Sequence, residues 1–234
     1  MRKGDIRKSE ILGEAERLFF TKGYSATSIN DILSSQHCSK GSFYHHFDSK
    51  LSVLTALCAA HAEAGFQRYQ ARAEGLEPAG RLDLLFSCST PVSRDEEALC
   101  ALLLPLLDTP EGEEVILSLA RAQKARFLPE LDALLSAMRE KKQAFYPNPA
   151  LPALVWDTHA CLTQRLLSLG AGQMRDEKDA LAPVLHTLEA ARYMLERCLS
   201  LPYGSITIIR APDCTKVLLD AARTAADISR AKGA

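Results

Sequence analysis

The stretch Ser39-Lys40-Gly41-Ser42-Phe43-Tyr44-His45-His46-Phe47 constrains this chain more than any other. At helical spacing Phe43 and Phe47 share one face at i, i+4, while Lys40, Tyr44 and His45 point away from it. Ser39 stands where an N-cap belongs, its hydroxyl placed to accept from an orphan backbone N–H of the first turn. So short a helix buries little by itself. It reads as an element anchored by two aromatic rings, with a cationic and hydrogen-bonding outer face offered to something polar.

Helical periodicity runs through the remainder. Ile11, Leu12, Ala15, Leu18 and Phe19 space a first helix over about residues 5–22, and Gly23 suits the left-handed position that ends it. Thr27 is placed to cap a second short helix with Ile29, Ile32 and Leu33 inward, followed by a turn from Ser34 to Cys38. Two short helices joined by a tight turn, the second more polar, make a helix-turn-helix pattern. Asp48 or Ser49 caps a long fourth helix carrying Leu51, Leu54, Cys58, His61, Gly65, Phe66 and Tyr69.

Gly75–Gly80, with Pro78, marks a break, and Leu82–Phe86 is a short apolar segment before a loop at Cys88–Val92. Ser93-Arg94-Asp95-Glu96 has the form of a capping box opening a helix to about Leu107. Thr109-Pro110 opens another, expected to kink near Pro129 and to run to about Ala144. Further helices are expected at about 151–169, at about 180–200, and from a cap at Asp213 to about Ser229. Ile206-Thr207-Ile208-Ile209 looks β-like, but a lone strand has nothing to pair with. The fold class read from these patterns is all-α.

Charge narrows the partners by its distribution. The whole chain carries −1, yet residues 1–50 hold Arg2, Lys3, Arg7, Lys8, Arg17, Lys22, Lys40 and Lys50 against six acids, a local +2. Seven cysteines form no CxxC pair and, with no secretory signal, read as reduced core thiols. The most apolar run, Ala98–Leu107, is about half of what a bilayer requires. The expectation is a cytoplasmic protein with no membrane partner, no cofactor and no metal. Cys58 and His61 are i, i+3, but two ligands do not make a site. No phosphate loop, nucleophile elbow or carboxylate pair points to an enzyme, so no catalytic residue is assigned.

The segment Ile11–Leu54 resembles the DNA-binding domain of TetR-family (tetracycline-repressor-like) transcriptional regulators. The matching residues are Leu18-Phe19, Lys22-Gly23-Tyr24, Thr27-Ser28-Ile29, Asp31-Ile32, Ser39-Lys40-Gly41, Phe43-Tyr44, His46-Phe47 and Ser49-Lys50. Two departures stand out: Gln36-His37-Cys38 replaces the usual Ala-Gly-Val of the turn, and Leu51 follows Lys50 where Glu is common. The resemblance implies a three-helix DNA-binding domain over residues 1–50 and a helical effector-binding and dimerisation domain over 51–234.

It also implies roles. Lys40, Gly41, Ser42 and Tyr44 fall nearest base edges, and Thr27, Ser28, Ser39, His45, His46 and Lys50 fall at phosphate contacts. Independently, Gly41 early in a helix costs about 1 kcal/mol against alanine, so it needs a compensating reason such as close approach to a base pair. Lys50 in the first turn of its helix opposes the macrodipole, which a neighbouring phosphate would offset. Arg2, Lys3, Arg7 and Lys8 are placed to form an arm along the duplex.

The helix at about 151–169 is apolar on two sides, so it and the helix at about 180–200 are the expected homodimer contact, as in the family. A pocket for an unknown small-molecule effector is implied between the fourth helix and the second domain, where His61, Phe66, Tyr69, Phe127, Trp156 and His159 fall. The function expected is a homodimeric repressor of double-stranded DNA, released by its ligand. The alternatives are an all-α cytosolic enzyme and a thiol-based redox-sensing regulator.

Overall fold

The computed structural model describes residues 3–35, 39–172 and 176–230, with side chains from residue 6 onward. Its elements are α1 (Lys3–Lys22), α2 (Ile29–Ser35), α3 (Lys40–Tyr44), α4 (Lys50–Ala73), α5 (Pro78–Cys88), α6 (Glu97–Leu103), α7 (Pro110–Glu140), α8 (Leu151–Ala171), α9 (Glu177–Cys198) and α10 (Ala211–Arg230). Short 3₁₀ turns at Arg94–Glu96 and Leu104–Leu106 bracket α6. The fold is all-α, an N-terminal helix-turn-helix head followed by a helical body. No helix among the described residues is long and apolar enough to cross a membrane.

The ends of these helices follow from local chemistry. Gly23 takes φ +79° after α1, and its N–H bonds the Phe19 carbonyl at 2.9 Å. Ser49 and Ser52 cap α4 reciprocally, and the Thr109 hydroxyl accepts from the Gly112 N–H at 3.1 Å to open α7. Both α7 and α9 close with a left-handed residue, Lys142 (φ 57°) and Ser200 (φ 53°). In each case the following N–H reaches five residues back, Gln143 to Met138 and Leu201 to Glu196, both at 2.8 Å.

Head and body share one continuous apolar core. Ile11, Phe19, Ile32, Phe43 and Phe47 fill the head, and Val53, Leu54 and Leu57 at the start of α4 continue it. α4 packs most extensively on α7, with α5 on the same helix pair, while α8, α9 and α10 pack against one another. The two apolar sides of α8 are both used within the chain: Val155, Trp156, Leu162, Thr163, Leu166 and Leu167 are all buried among α7, α9 and α10.

Several expectations shift. Leu82–Phe86 lies in an eleven-residue helix that starts on Pro78 as its first residue. The capping box at Ser93 does not form, because the Glu96 side chain turns inward and leaves only a 3₁₀ turn before α6. α7 continues through Pro129 as one helix and ends at Glu140, short of Ala144. α10 begins at Ala211, so Asp213 sits inside its first turn, paired with Arg94 and Arg210. Residues 206–209 form no strand. Asp83 accepts from the Thr207 and Ile208 N–H groups at 2.7 and 3.1 Å, and Glu196 from the Ile206 N–H at 3.2 Å. These bonds bury Ile206 and Ile208 as loop residues.

Gly112 marks the tightest joint. A Cβ there would stand 1.7 Å from the Leu106 carbonyl oxygen, where α7 folds back onto the preceding 3₁₀ turn. Backbone must move to admit a methyl group, so Gly112→Ala is expected to destabilise the chain by about 1–3 kcal/mol or more. Urea unfolding with an unchanged m-value would register it, and an unchanged midpoint would contradict it.

Candidate nucleic-acid interface

The head presents α3 by burying one side of it. Phe43 and Phe47 are buried with ring centroids 5.9 Å apart, and Phe19 and Tyr24 meet edge-on at 5.3 Å beneath them. The Ser39 hydroxyl accepts from the Ser42 N–H at 3.2 Å, which starts the helix. The outer face is then Lys40, Gly41, Tyr44 and His45, all exposed, Tyr44 by 52%; Ser42 and His46 lie half-buried at its edges. The His45 and His46 rings touch edge-on at 4.9 Å.

Gly41 is informative. Its φ is helical, and a Cβ built on it would meet nothing within 4 Å. Nothing inside the fold requires glycine there. The helix-propensity cost of glycine at this position is not offset by packing within the chain.

The start of α2 is organised one residue later than the sequence pattern implied. Ser28, not Thr27, is the cap: its hydroxyl accepts from the Asp31 N–H at 3.1 Å, and the Asp31 carboxylate accepts from the Ser28 N–H and hydroxyl, each at 2.8 Å. Those bonds, with Lys22 at 3.3 Å, hold the Asp31 carboxyl down at about 2. Thr27 is 1% exposed and donates its hydroxyl to the Gly23 carbonyl at 2.9 Å, so its side chain faces the core.

Lys50 also turns inward. Its ammonium donates to the Tyr24 and Thr27 carbonyls at 2.8 and 2.9 Å and lies 4.2 Å from the centre of the Tyr24 ring. These bonds, rather than a phosphate, answer the macrodipole argument made for it. Lys50 pins the loop between α1 and α2 to the first turn of α4. Of the basic arm, Arg7 pairs with Glu10 at 2.8 Å and Lys8 is exposed beside the Phe47 ring. Arg2 and His37 lie outside the described residues, as does the side chain of Lys3.

A second constellation joins this head to the body. His61 on α4 bonds Glu96 through Nδ1 at 2.6 Å and Glu16 of α1 through Nε2 at 3.0 Å. Glu96 is 4% exposed and also receives the Arg68 guanidinium. Asp95 beside it faces Arg68 and Arg72. Two carboxylates on one imidazole require both ring nitrogens to donate, which is the protonated form. Burial alone would push His61 down, but hydrogen bonding and charge attraction to Glu96 and Glu16 outweigh it and hold the ring above its ordinary value. Sequence reading placed His61 in the pocket and missed this role, because Glu16 and Glu96 are 45 and 35 residues away.

The remaining pocket residues form a packed aromatic seam. Phe66 meets Phe127 edge-on at 5.3 Å, Phe127 stacks on Trp156 at 6.0 Å, and Trp156 meets His159 at 5.5 Å. Tyr69 donates to Glu130 at 2.8 Å, with Arg81 on the same carboxylate, and burial pushes its phenol up to about 12. Burial pushes His159 down to about 4, so that ring is neutral and bonded to the Ser89 hydroxyl at 2.9 Å. Cys58, Cys100 and Cys214 are buried with thiols pushed up to about 12, which gives them no reactive thiolate.

A short exposed helix, displayed by a three-helix head on a larger helical body, defines a helix-turn-helix protein. Residues 11–57 match the family described as bacterial regulatory proteins, tetR family. Over that segment the chain is similar to the helix-turn-helix domain of TetR-family transcriptional regulators. It is 45% identical over 56 residues to a helix-turn-helix regulator of Lactococcus lactis, covering 24% of this chain and 29% of that one. To the repressor KstR2 of Rhodococcus jostii it is 34% identical over 84 residues, 36% of this chain and 41% of that one. The chain thus spans less than half the length of these curated relatives. A TetR-family regulator from Pectobacterium atrosepticum shares the fold with TM-score 0.55 at 19% identity, over 86% of this chain and 99% of that one.

Two outcomes test this geometry. Gly41→Ala is expected to raise stability by up to about 1 kcal/mol while weakening DNA binding; binding unchanged in a filter or anisotropy assay would remove the reason given for the glycine. The His61 latch is complete below about pH 6.5, the ordinary histidine value, and is lost as pH rises through the raised value of the folded chain. As pH rises above about 6.5 the wild type should therefore lose urea stability relative to His61→Gln, whose amide does not titrate. Parallel profiles would deny the imidazole its second proton.

Proposed function

We propose that the chain is a homodimeric DNA-binding repressor whose hold on its operator is released by a small molecule bound in the body. The observation that carries the DNA half is the outer face of α3, where Lys40, Gly41, Tyr44 and His45 are exposed and the glycine answers to no packing demand. A helix of this kind reads base edges in the major groove while neighbouring polar groups meet phosphates. Lys40, Gly41, Ser42 and Tyr44 are assigned to bases. Ser28, Ser39, His45 and His46 are assigned to phosphates. Thr27 and Lys50 hold the loop that carries Ser28, and act on DNA through it. KstR2 is itself described as a repressor.

One such head contacts too little DNA for high selectivity, so two heads a fixed span apart are required. The support for a dimer is the outer face of α9, with Leu185, Tyr193 and Met194 exposed by 38, 55 and 52%, next to Leu154 of α8 at 58%. Exposed apolar residues on adjacent helices are what a four-helix contact between two copies needs. Ligand release then works as a linkage: a molecule favouring one relation of body to head lowers the affinity of the other relation for operator. The Glu16–His61–Glu96 latch is the polar joint across which that relation changes.

Binding to DNA from upstream of the chain's own coding region, titrated with salt, tests the reading. Affinity should fall steeply with salt. Tyr44→Ala should cost about 1–3 kcal/mol on the specific site and little on random DNA, whereas His45→Ala, at an assigned phosphate contact, should weaken both. Salt-insensitive binding, or equal losses on both DNAs for Tyr44→Ala, would refute the assignment.

A further inference from the structure

His61 of α4 is held between two carboxylates that come from different halves of the molecule, Glu16 of α1 and Glu96 at the entry to α6. The two are unequal. Glu96 is 4% exposed, bonds Nδ1 at 2.6 Å and shares the Arg68 guanidinium. The Glu16 side chain is 37% exposed and bonds Nε2 at 3.0 Å. On the Glu96 side, a cell of about 10 Å³ lined by His61, Thr90, Glu96 and Gln123 has room for one water molecule at most.

A neutral imidazole donates through one nitrogen and offers a lone pair at the other. When His61 gives up its second proton, one carboxylate is therefore left facing that lone pair. Burial decides which. Glu96 has no solvent to turn to and keeps the remaining N–H, so Glu16 is the one released to water. Deprotonation cuts the tie to the head and spares the tie within the body. Around the ring, α1 brings Glu16 and the Phe20 ring at 6.3 Å. From α4 itself come Cys58, its thiol raised by burial to about 12, and Arg68, which stays charged. α5 supplies Cys88, also raised by burial, and the 3₁₀ turn supplies Glu96 and Asp95, the latter paired with Arg68 and Arg72. α6 and α7 face the cell with Leu99, Leu119 and Gln123.

We propose that the Glu16–His61 bond is a proton-operated joint that sets operator affinity: with the proton in place the head is held for DNA, and its loss lets the head swing free. A head already fixed on the body loses no freedom of orientation when it binds, whereas a released head does. Affinity therefore falls as pH rises. The proposal rests on the DNA-binding function proposed above and adds hydrogen-ion concentration as an input to it.

The test is fluorescence anisotropy of the full chain on the upstream DNA fragment at fixed salt, repeated upward from about pH 6.5, the ordinary histidine value. In Glu16→Gln the side-chain amide can donate to the bare Nε2 of a neutral ring, so the joint needs no proton. Wild-type affinity should fall relative to Glu16→Gln by about fivefold or more, the low end of ordinary coupling between sites. His61→Gln, its fold checked by circular dichroism, should run parallel to Glu16→Gln and below it. All three chains carry His45 and His46, so protons taken up at the DNA face cancel in the comparison. Without DNA, the α1 amides should exchange with solvent faster in wild type than in Glu16→Gln at the alkaline end, and alike at the acid end. A wild-type profile parallel to that of Glu16→Gln, affinity rising with pH against it, or α1 exchange alike at both ends would overturn the proposal. Exchange that follows the proton in a chain that binds no DNA at any pH would instead overturn the DNA-binding reading and leave the joint standing.

Discussion

A buried carboxylate sets how the two halves of this molecule meet. Glu96 lies at the entry to α6 with 4% exposure, and an uncompensated charge there would cost several kcal/mol. Both compensating groups come from α4, His61 and Arg68, about two helical turns apart on a single face. His61 then spends its other nitrogen on Glu16, so satisfying Glu96 also fixes α1 against the body. Removing one member of such a group typically costs about 3–5 kcal/mol, because the others are left buried and unpaired. The orientation of the head follows from that demand together with the apolar core continuous from Phe43 to Leu57.

The head separates residues that build the display from residues that are displayed. Phe43, Phe47, Thr27 and Lys50 face inward, and each fixes a neighbouring stretch of backbone. Lys40, Gly41, Tyr44 and His45 face outward, with the Tyr44 ring edge-on to Phe43 and the His45 ring edge-on to His46. An inward lysine bound to two carbonyls is a positional device: it closes the α1–α2 loop against α4 and so sets where Ser28 and α2 lie. A glycine with open space around its missing Cβ is the opposite case, since packing within the chain does not call for it.

In the body, the same separation decides which surfaces remain for partners. α8 is apolar on two sides because α7 packs on one and α9 and α10 on the other, so its periodicity by itself says nothing of a second copy. The outer stripe of α9 is the proposed contact instead. The aromatic seam from Phe66 to His159 is close-packed core that stiffens the α4–α7–α8 junction, and Tyr69 is committed to Glu130 and Arg81. The open volume lies to one side of it, under Gln123.

Whatever depends on neighbours within a turn or two was legible in the chain itself. Helical spacing placed α1, α4, α8 and the two rings of α3, and the caps at Ser39, Ser49 and Thr109 and the stop at Gly23 are local bonds between residues at most four apart. What only the tertiary structure decided involves partners far along the chain. Lys50 turned inward to carbonyls 23 and 26 residues away, and Glu96 left its capping box for His61 and Arg68. The β-like run at 206–209 became a loop because Asp83, more than 120 residues earlier, supplies the acceptors a sheet would have supplied. Periodicity reports which face of an element is apolar. It carries no record of which distant polar group that face will meet, and a buried charge is satisfied by whichever partner the packing brings within about 3 Å.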